Sequence, residues 1–254
     1  MNEPVRKSYL DIVKRNLRAA DRLTFCTRFI YFGEYYDTAE VFEKQMKNII
    51  NHLNHEHNDI PIYGLLLVYP KYFIHLVTSC EEMIFRHFKA IFLDKGSEVK
   101  LGKVLHLPVQ HHIYRPYFTH WYSTITSPPV LLEKLENTEL PEIEKHVRNI
   151  MLKIYKLCEF VIDANSKTGE PVSHILKDIE EKNPENLPES TVLEFLLNCN
   201  SPVLVDMRHY LKSYVEIPDI NFYNDRVWPV PSKFMPTNMS FKPEKGKKKN
   251  DSED

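Results

Sequence analysis

Ile60-Pro61-Ile62-Tyr63-Gly64-Leu65-Leu66-Leu67-Val68-Tyr69-Pro70-Lys71-Tyr72-Phe73-Ile74-His75-Leu76-Val77 is the stretch whose reading decides the fold. It is a long, dense run of β-forming and apolar residues, broken in the middle by Pro70-Lys71. Proline supplies the fixed φ of a turn and cannot donate to a central ladder. The run therefore reads as two short strands joined by a tight turn. Its first half is continuously apolar and not alternating, the pattern of a strand covered on both faces. Amphipathic helices at 38–53 and 80–93 flank this hairpin, and the sequence describes an α+β domain.

Toward the N-terminus, Asp37 with Glu40 has the spacing of a capping box, and Val41 or Phe42, then Met46, Ile49, Ile50 and Leu53, recur at helical spacing. Each such side chain, once buried on a sheet, contributes roughly 1.5–3 kcal/mol before chain entropy is subtracted. Gly33 reads as a turn residue, and Leu23–Tyr31 as a first strand rich in β-branched and aromatic residues. Residues 4–20 read as a helix with Tyr9, Ile12, Val13 and Leu17 on one stripe.

Toward the C-terminus, Ser79 with Glu82 suggests a second capping box. Ile84, Phe85, Phe88, Ile91 and Phe92 then give a buried helix face, with Gly96 as its stop. Strands are expected over Val99–Val109, interrupted by Gly102, and over Phe118–Thr126. The order is βαββαββ with both helices on one face, a ferredoxin-like arrangement.

Beyond Pro128-Pro129, residues 141–164 carry Ile143, Val147, Ile150, Ile154, Leu157 and Val161. That sustained stripe must pack on another helix or on the open face of the sheet. Shorter helices are expected at 171–182, at 191–198 behind a Thr191/Glu194 capping box, and at 202–214 after Ser201-Pro202. The chain thus divides into an N-terminal helix (1–21), a ferredoxin-like domain (22–127), a helical extension (128–215), an extended arm (216–240) and a charged tail (241–254), the tail expected to be disordered.

Composition narrows the function. A hydrophobic content of 43% suffices for a core, and a formal net charge of −2 argues against nucleic acid or membrane as partner of the whole chain. No apolar run is long enough to span a bilayer, and the charged first residues do not resemble a signal peptide. Cys26, Cys80, Cys158 and Cys199 are dispersed, as in a reducing compartment, with neither a disulfide framework nor a zinc spacing. The expectation is a soluble cytoplasmic protein. The six glycines are too scattered to cradle a phosphate, so dinucleotide and nucleotide loops are absent.

Few constellations invite chemistry. His52, His55 and His57 lack the order of a metalloprotease helix and read as solvated histidines at a helix end; His111-His112 reads the same way in a loop. Cys80 falls at a helix N-terminus, either a thiol activated by the dipole or a buried structural cysteine. No metal site and no catalytic residue is assigned. Lys247, Lys248 and Lys249 sit in the charged tail, either simply solvated or making an electrostatic contact with an acidic surface such as tubulin or nucleic acid. Trp228 and Phe234, in a Pro-rich extended segment, need burial against the chain's own core or in a partner's groove.

Residues 23–126 resemble a BLUF domain, the flavin-binding blue-light sensor of ferredoxin-like fold. The resemblance is carried by Tyr63-Gly64-Leu65-Leu66-Leu67-Val68-Tyr69, by Tyr72–Val77, by Ser79-Cys80-Glu81-Glu82 and by Phe118 with Trp121. It implies a flavin site on one face of the sheet, and the positions that would serve it are Thr27, Pro61, Trp121 and Ser123. Pro61 stands where the family has the glutamine of its photocycle, Thr27 where it has tyrosine and Ser123 where it has methionine. Proline offers neither a carboxamide nor an N–H, so the photochemistry should be lost. Over the whole length, including Val227–Phe234, the chain is similar to the testis-expressed protein 47 family, with its degenerate BLUF-like domain. That similarity implies a sperm protein associated with the axoneme of flagella or cilia.

The reading is a non-enzymatic structural or protein-interaction module with protein partners and no cofactor. The alternative is a flavin (FAD) binding sensor with impaired photochemistry. An acylphosphatase-like hydrolase is weaker, since its anion loop is not visible.

Overall fold

The computed structural model describes residues 8–215 apart from 20–23, 58–60, 95, 97, 130, 132–134 and 136. In chain order its elements begin α1 (Tyr9–Ala19), β1 (Cys26–Tyr35), α2 (Ala39–Glu56), β2 (Tyr63–Val68), β3 (Tyr72–Ser79) and α3 (Glu81–Phe88). They continue with β4 (Leu101–His106), β5 (Gln110–Ile113), β6 (Trp121–Ile125), α4 (Leu140–Thr168), α5 (Val172–Lys177), α6 (Ile179–Lys182), α7 (Ser190–Asn198), β7 (Val205–Asp206) and α8 (Met207–Val215). A π-helical turn, Lys89–Leu93, prolongs α3.

The quoted stretch is the hairpin β2–β3, with Leu67 opposite Ile74, closed by a 2.8 Å bond from Tyr69 N–H to the Tyr72 carbonyl. The strand order is β6-β2-β3-β1-β4-β7, and β5 also pairs with β1. β3 lies antiparallel between β1 and β2, and β1 lies antiparallel between β3 and β4. This 2-3-1-4 centre is the split βαβ arrangement of a ferredoxin-like fold, as the sequence implies. β6 extends it in parallel beside β2, and β7 caps the other edge beside β4.

Both faces of the sheet are covered, which explains the continuous apolar run. Alternate residues diverge to opposite sides of a strand. Phe29, Tyr31, Leu66, Val68, Phe73 and Val77 meet Phe42, Met46 and Ile50 of α2 and Met83, Ile84 and Phe88 of α3. α8 joins that side through Met207 and Leu211. On the other side, Ile30, Phe32, Leu65, Leu67, Ile74 and Leu76 meet the full stripe of α4, Ile143 to Val161, along with α5 and α7. The stripe has found the open face of the sheet.

Several local expectations are corrected. Gly33 is not a turn. It lies inside the ten-residue β1 at an irregularity in its pairing with β4, where a Cβ would stand 2.6 Å from the Lys103 carbonyl. Thr38, not Asp37, caps α2 by accepting from Val41 N–H, while Asp37 meets Lys100 at 3.4 Å. Cys80, not Ser79, caps α3. Its buried Sγ accepts from Met83 N–H at 3.4 Å, and Ser79 stays in β3. The π turn ends before Gly96, at Leu93. The expected strand 99–109 is shorter, because Pro108 separates β4 from β5, and His111-His112 belong to β5 instead of a loop. Asp178 divides the helix expected at 171–182, Thr191 provides no cap to α7, and α8 starts five residues after Pro202 because β7 intervenes.

Candidate functional site

At the centre of the α2/α3 face, four polar side chains meet under the helices. Tyr31 and His75 are direct cross-strand partners on β1 and β3. His87 comes from the inner face of α3 and Trp121 from edge strand β6. Tyr31 Oη lies 2.6 Å from His75 Nδ1 and 2.9 Å from His87 Nε2, and Trp121 Nε1 donates to His75 Nε2 at 2.8 Å. Tyr31, His75 and His87 are each 0% exposed. Gly64 lets β2 approach β3 closely. It sits opposite Trp121 on β2, and a Cβ there would be 2.0 Å from the Leu76 carbonyl.

The chemistry of the four groups fixes the direction of this chain. An indole N–H only donates, so His75 Nε2 must accept, and a neutral imidazole then carries its proton on Nδ1. That proton goes to Tyr31 Oη, whose own hydrogen is left for His87 Nε2. His87 therefore carries its proton on Nδ1, and that buried N–H has no partner among the described residues. Burial disfavours charge throughout. It holds His87 down to about 3, holds His75 well below the ordinary histidine value with help from the nearby His87, and pushes Tyr31 well above the ordinary tyrosine value. All four groups are neutral near pH 7. The cluster can orient hydrogen bonds, but it does not offer a base poised for proton abstraction.

Of the four positions implied by the BLUF resemblance, Thr27 lies on β1, Trp121 and Ser123 on β6, and Pro61 in the connection ahead of β2. Thr27 is buried at the start of β1 opposite Ser79, whose hydroxyl donates to the Pro61 carbonyl at 3.1 Å. Trp121 and Ser123 are on β6, opposite Gly64 and Leu66. Of the four, only Trp121 bonds into the cluster. Trp228, Phe234, Lys247, Lys248 and Lys249 lie outside the described residues. His52 is exposed beside Glu56, and His57 is half-buried beside Arg86. Among the described residues no three His, Cys, Asp or Glu side chains could hold a metal ion, and no helix is long and apolar enough to cross a membrane.

A flavin ring between α2 and α3 would need a slot. Phe42, Met46, Ile50 and Leu53 from α2 and Met83, Ile84, Phe88 and Ile91 from the α3 side are only 0–7% exposed, and the polar cluster closes the floor. The residues as packed do not fit a flavin nucleotide.

Sequence reasoning missed Tyr31, His75 and His87. A signal existed for two of them. His75 is the one imidazole inside the apolar run, and His87 falls on the stripe Ile84, Phe88, Ile91 where a core residue belongs.

Strand order and site together define the class: a ferredoxin-like α+β domain, covered on its second face by helices, with a sealed aromatic–histidine cluster beneath the first pair. The family model of testis-expressed protein 47 matches residues 27–216, most of the chain, and the chain belongs to that family. Similar solved structures are BLUF proteins. One is the BLUF domain of BlrP1, at 17% identity and TM-score 0.30, covering 41% of this chain and 66% of that one. Another is BlrB in its dark state, at 17% identity and TM-score 0.33, covering 41% and 73%. A bacterial light-regulated adenylyl cyclase is 21% identical at TM-score 0.33, over 55% of this chain and 38% of the cyclase. The likeness is partial, and the fold rests on this chain's own strand order.

Proposed function

We propose that this chain is a non-enzymatic structural or protein-interaction module. The observation that carries the reading is α1. Ser8 and Asp11 cap it reciprocally, with Ser8 N–H donating to Asp11 Oδ2 at 3.0 Å and Asp11 N–H donating to Ser8 Oγ at 3.2 Å. At 100° per residue, Tyr9, Leu10, Ile12, Val13 and Leu17 share one half of its surface, while Asp11, Lys14, Arg15 and Arg18 share the other. Yet none of its residues is buried, and Tyr9 is 82% exposed. An isolated helix of this length is marginal in water, so a partner protein covering its apolar half is what makes it stable. Asn16 falls within that apolar half, where a protein groove offers hydrogen-bond partners and lipid chains offer none.

The finer placing, on the axoneme of sperm flagella or cilia, is supported by the testis-expressed family. Demembranated flagella test it. The chain should stay with the axonemal pellet, and an Ile12→Asp, Leu17→Asp variant should be released. Recovery of the unaltered chain in the soluble fraction would refute the placing.

The second reading, a flavin-binding sensor with impaired photochemistry, is favoured by the unpartnered N–H of His87. It requires α2 and α3 to part. Purified protein that keeps stoichiometric flavin through gel filtration would establish it.

A further inference from the structure

The far side of α3 holds a second, unrelated feature. A hollow of about 280 Å³ opens between the start of β1, α3, β5 and α8. Phe29 and Phe88 form its buried floor, and Tyr210 and Tyr214 of α8 form a wall. The rings are steeply inclined to one another. Phe29 meets Phe88 at 4.8 Å and 64°, and Tyr210 at 5.5 Å and 62°; Tyr214 lies 4.6 Å from Tyr210 at 43°. The four rings pack against one another as one cluster, and that cluster makes the hollow's lining largely aromatic. Glu81 and Glu82 are in the lining, and among the described residues that form it there is no lysine or arginine. Glu81 is engaged by His111 and Glu82 by Arg86 through one oxygen each, Oε1. Arg86 balances the charge of Glu82, Glu81 keeps a carboxylate at the opening, and the rings present negative quadrupoles.

No catalytic step suits the hollow. Thr27 and Glu81 both contact Nδ1 of His111, at 3.4 and 2.8 Å, so the imidazole is not set between them as a relay. What the walls can do is bind. A bare ammonium is strongly hydrated and would lose that water against apolar walls. A methylated ammonium head carries its charge on an apolar surface and loses little. The geometry points to a binding site for a methylated ammonium group, which a free quaternary amine or the trimethylated lysine of a partner protein could supply. The site is separate from the interaction surface of α1 and does not depend on it.

The test titrates the full chain with choline and, in parallel, with its uncharged isostere 3,3-dimethylbutan-1-ol, following aromatic resonances by NMR. Choline should saturate at about millimolar concentration or below. The isostere should bind about tenfold more weakly, because only the charge differs. Tyr214→Ala, at a side chain 55% exposed, and Glu81→Gln should each weaken choline about three- to tenfold with unchanged thermal unfolding. A trimethyllysine peptide set against its unmethylated form distinguishes the sources: a preference for the peptide over choline assigns a protein ligand, and the reverse a free amine. No saturation by any of them overturns the proposal. Equal binding of choline and isostere overturns it too, leaving an apolar hollow only.

Discussion

The two faces of the sheet are both covered but built on different terms. Against α4 the contacts are aliphatic and repetitive, with Ile143, Val147, Ile150, Ile154, Leu157 and Val161 laid over Ile30, Phe32, Leu65 and Leu67. The one buried cation on that side, Arg28, lies over the Tyr117 ring at 4.1 Å and donates to Gln110, with no ion pair among the described residues. Against α2 and α3 the contacts are aromatic, and four polar groups run through them in a fixed donor-to-acceptor order. The first face is specified by volume and tolerates any apolar residue of about the right size. The second is specified by direction, since one misplaced donor leaves a buried group unpaired. On this second side the chain's own hydrogen-bonding groups fill the space between the sheet and the two helices.

The largest expected effect tests the volume side. Ile154→Asp places an unpaired charge in the α4 seam and should cost about 5 kcal/mol or more, an appreciable part of a domain's whole stability. Leu152→Asp, two residues away but on the outer surface of α4, should change stability by no more than about 0.5 kcal/mol. Urea unfolding of both would measure the difference, and similar losses would mean that α4 does not seal the sheet. Tyr31→Phe tests the directional side. It leaves His75 Nδ1–H without an acceptor and His87 Nε2 without a donor, at about 1–3 kcal/mol for each group. A loss under about 0.5 kcal/mol would show that the cluster is an accident of packing.

Acid separates the faces more gently. His75 and His87 have folded values depressed below the unfolded one of about 6.5, so the unfolded chain binds more protons as pH falls. Their contribution is complete above about pH 6.5 and declines toward about pH 3, by up to roughly 1.4 kcal/mol per pH unit for each histidine. Unfolding measured at pH 7 and pH 5 should show a loss in the native chain. His75→Phe/His87→Phe should be much flatter over that range. Equal slopes would place the acid-sensitive groups elsewhere.

Much of the fold could be read in advance because it rests on periodicity. The hairpin, the inner face of α2 and the long α4 stripe each repeat a pattern over many residues. The missed elements are short or locally polar: Gln110-His111-His112-Ile113 pairs with β1 although little in it favours a strand, and β7 is two residues long. Caps were misplaced by one residue because Asp37, Thr38, Ser79 and Cys80 are adjacent acceptors, and only backbone geometry chooses between them. The candidate site was hidden for a stronger reason. Tyr31, His75, His87 and Trp121 come from four separate elements, and only the strand order brings them together. The aromatic hollow is likewise assembled from β1, α3 and α8.

His87→Phe is the smallest change and the most discriminating. The substitution removes the Nδ1–H that has no partner, which is a gain, and removes the acceptor of the Tyr31 hydroxyl, which is a loss. If the donor order runs from Trp121 to His87, these effects are of similar size and opposite sign, and stability at pH 7 should move by no more than about 1 kcal/mol. The variant should also lose about half of the acid sensitivity, because one of the two depressed imidazoles is gone. The opposite order predicts something else. A tyrosine hydroxyl donating to His75 would leave that ring accepting at both nitrogens, which a neutral imidazole cannot do. His75 would then have to turn away from Trp121, and His87 would donate from Nε2. In that arrangement His87→Phe removes a donor that Tyr31 uses, while Trp121→Phe costs nothing. Stability of the two single variants, compared side by side at pH 7, therefore tests the donor order that the four groups dictate.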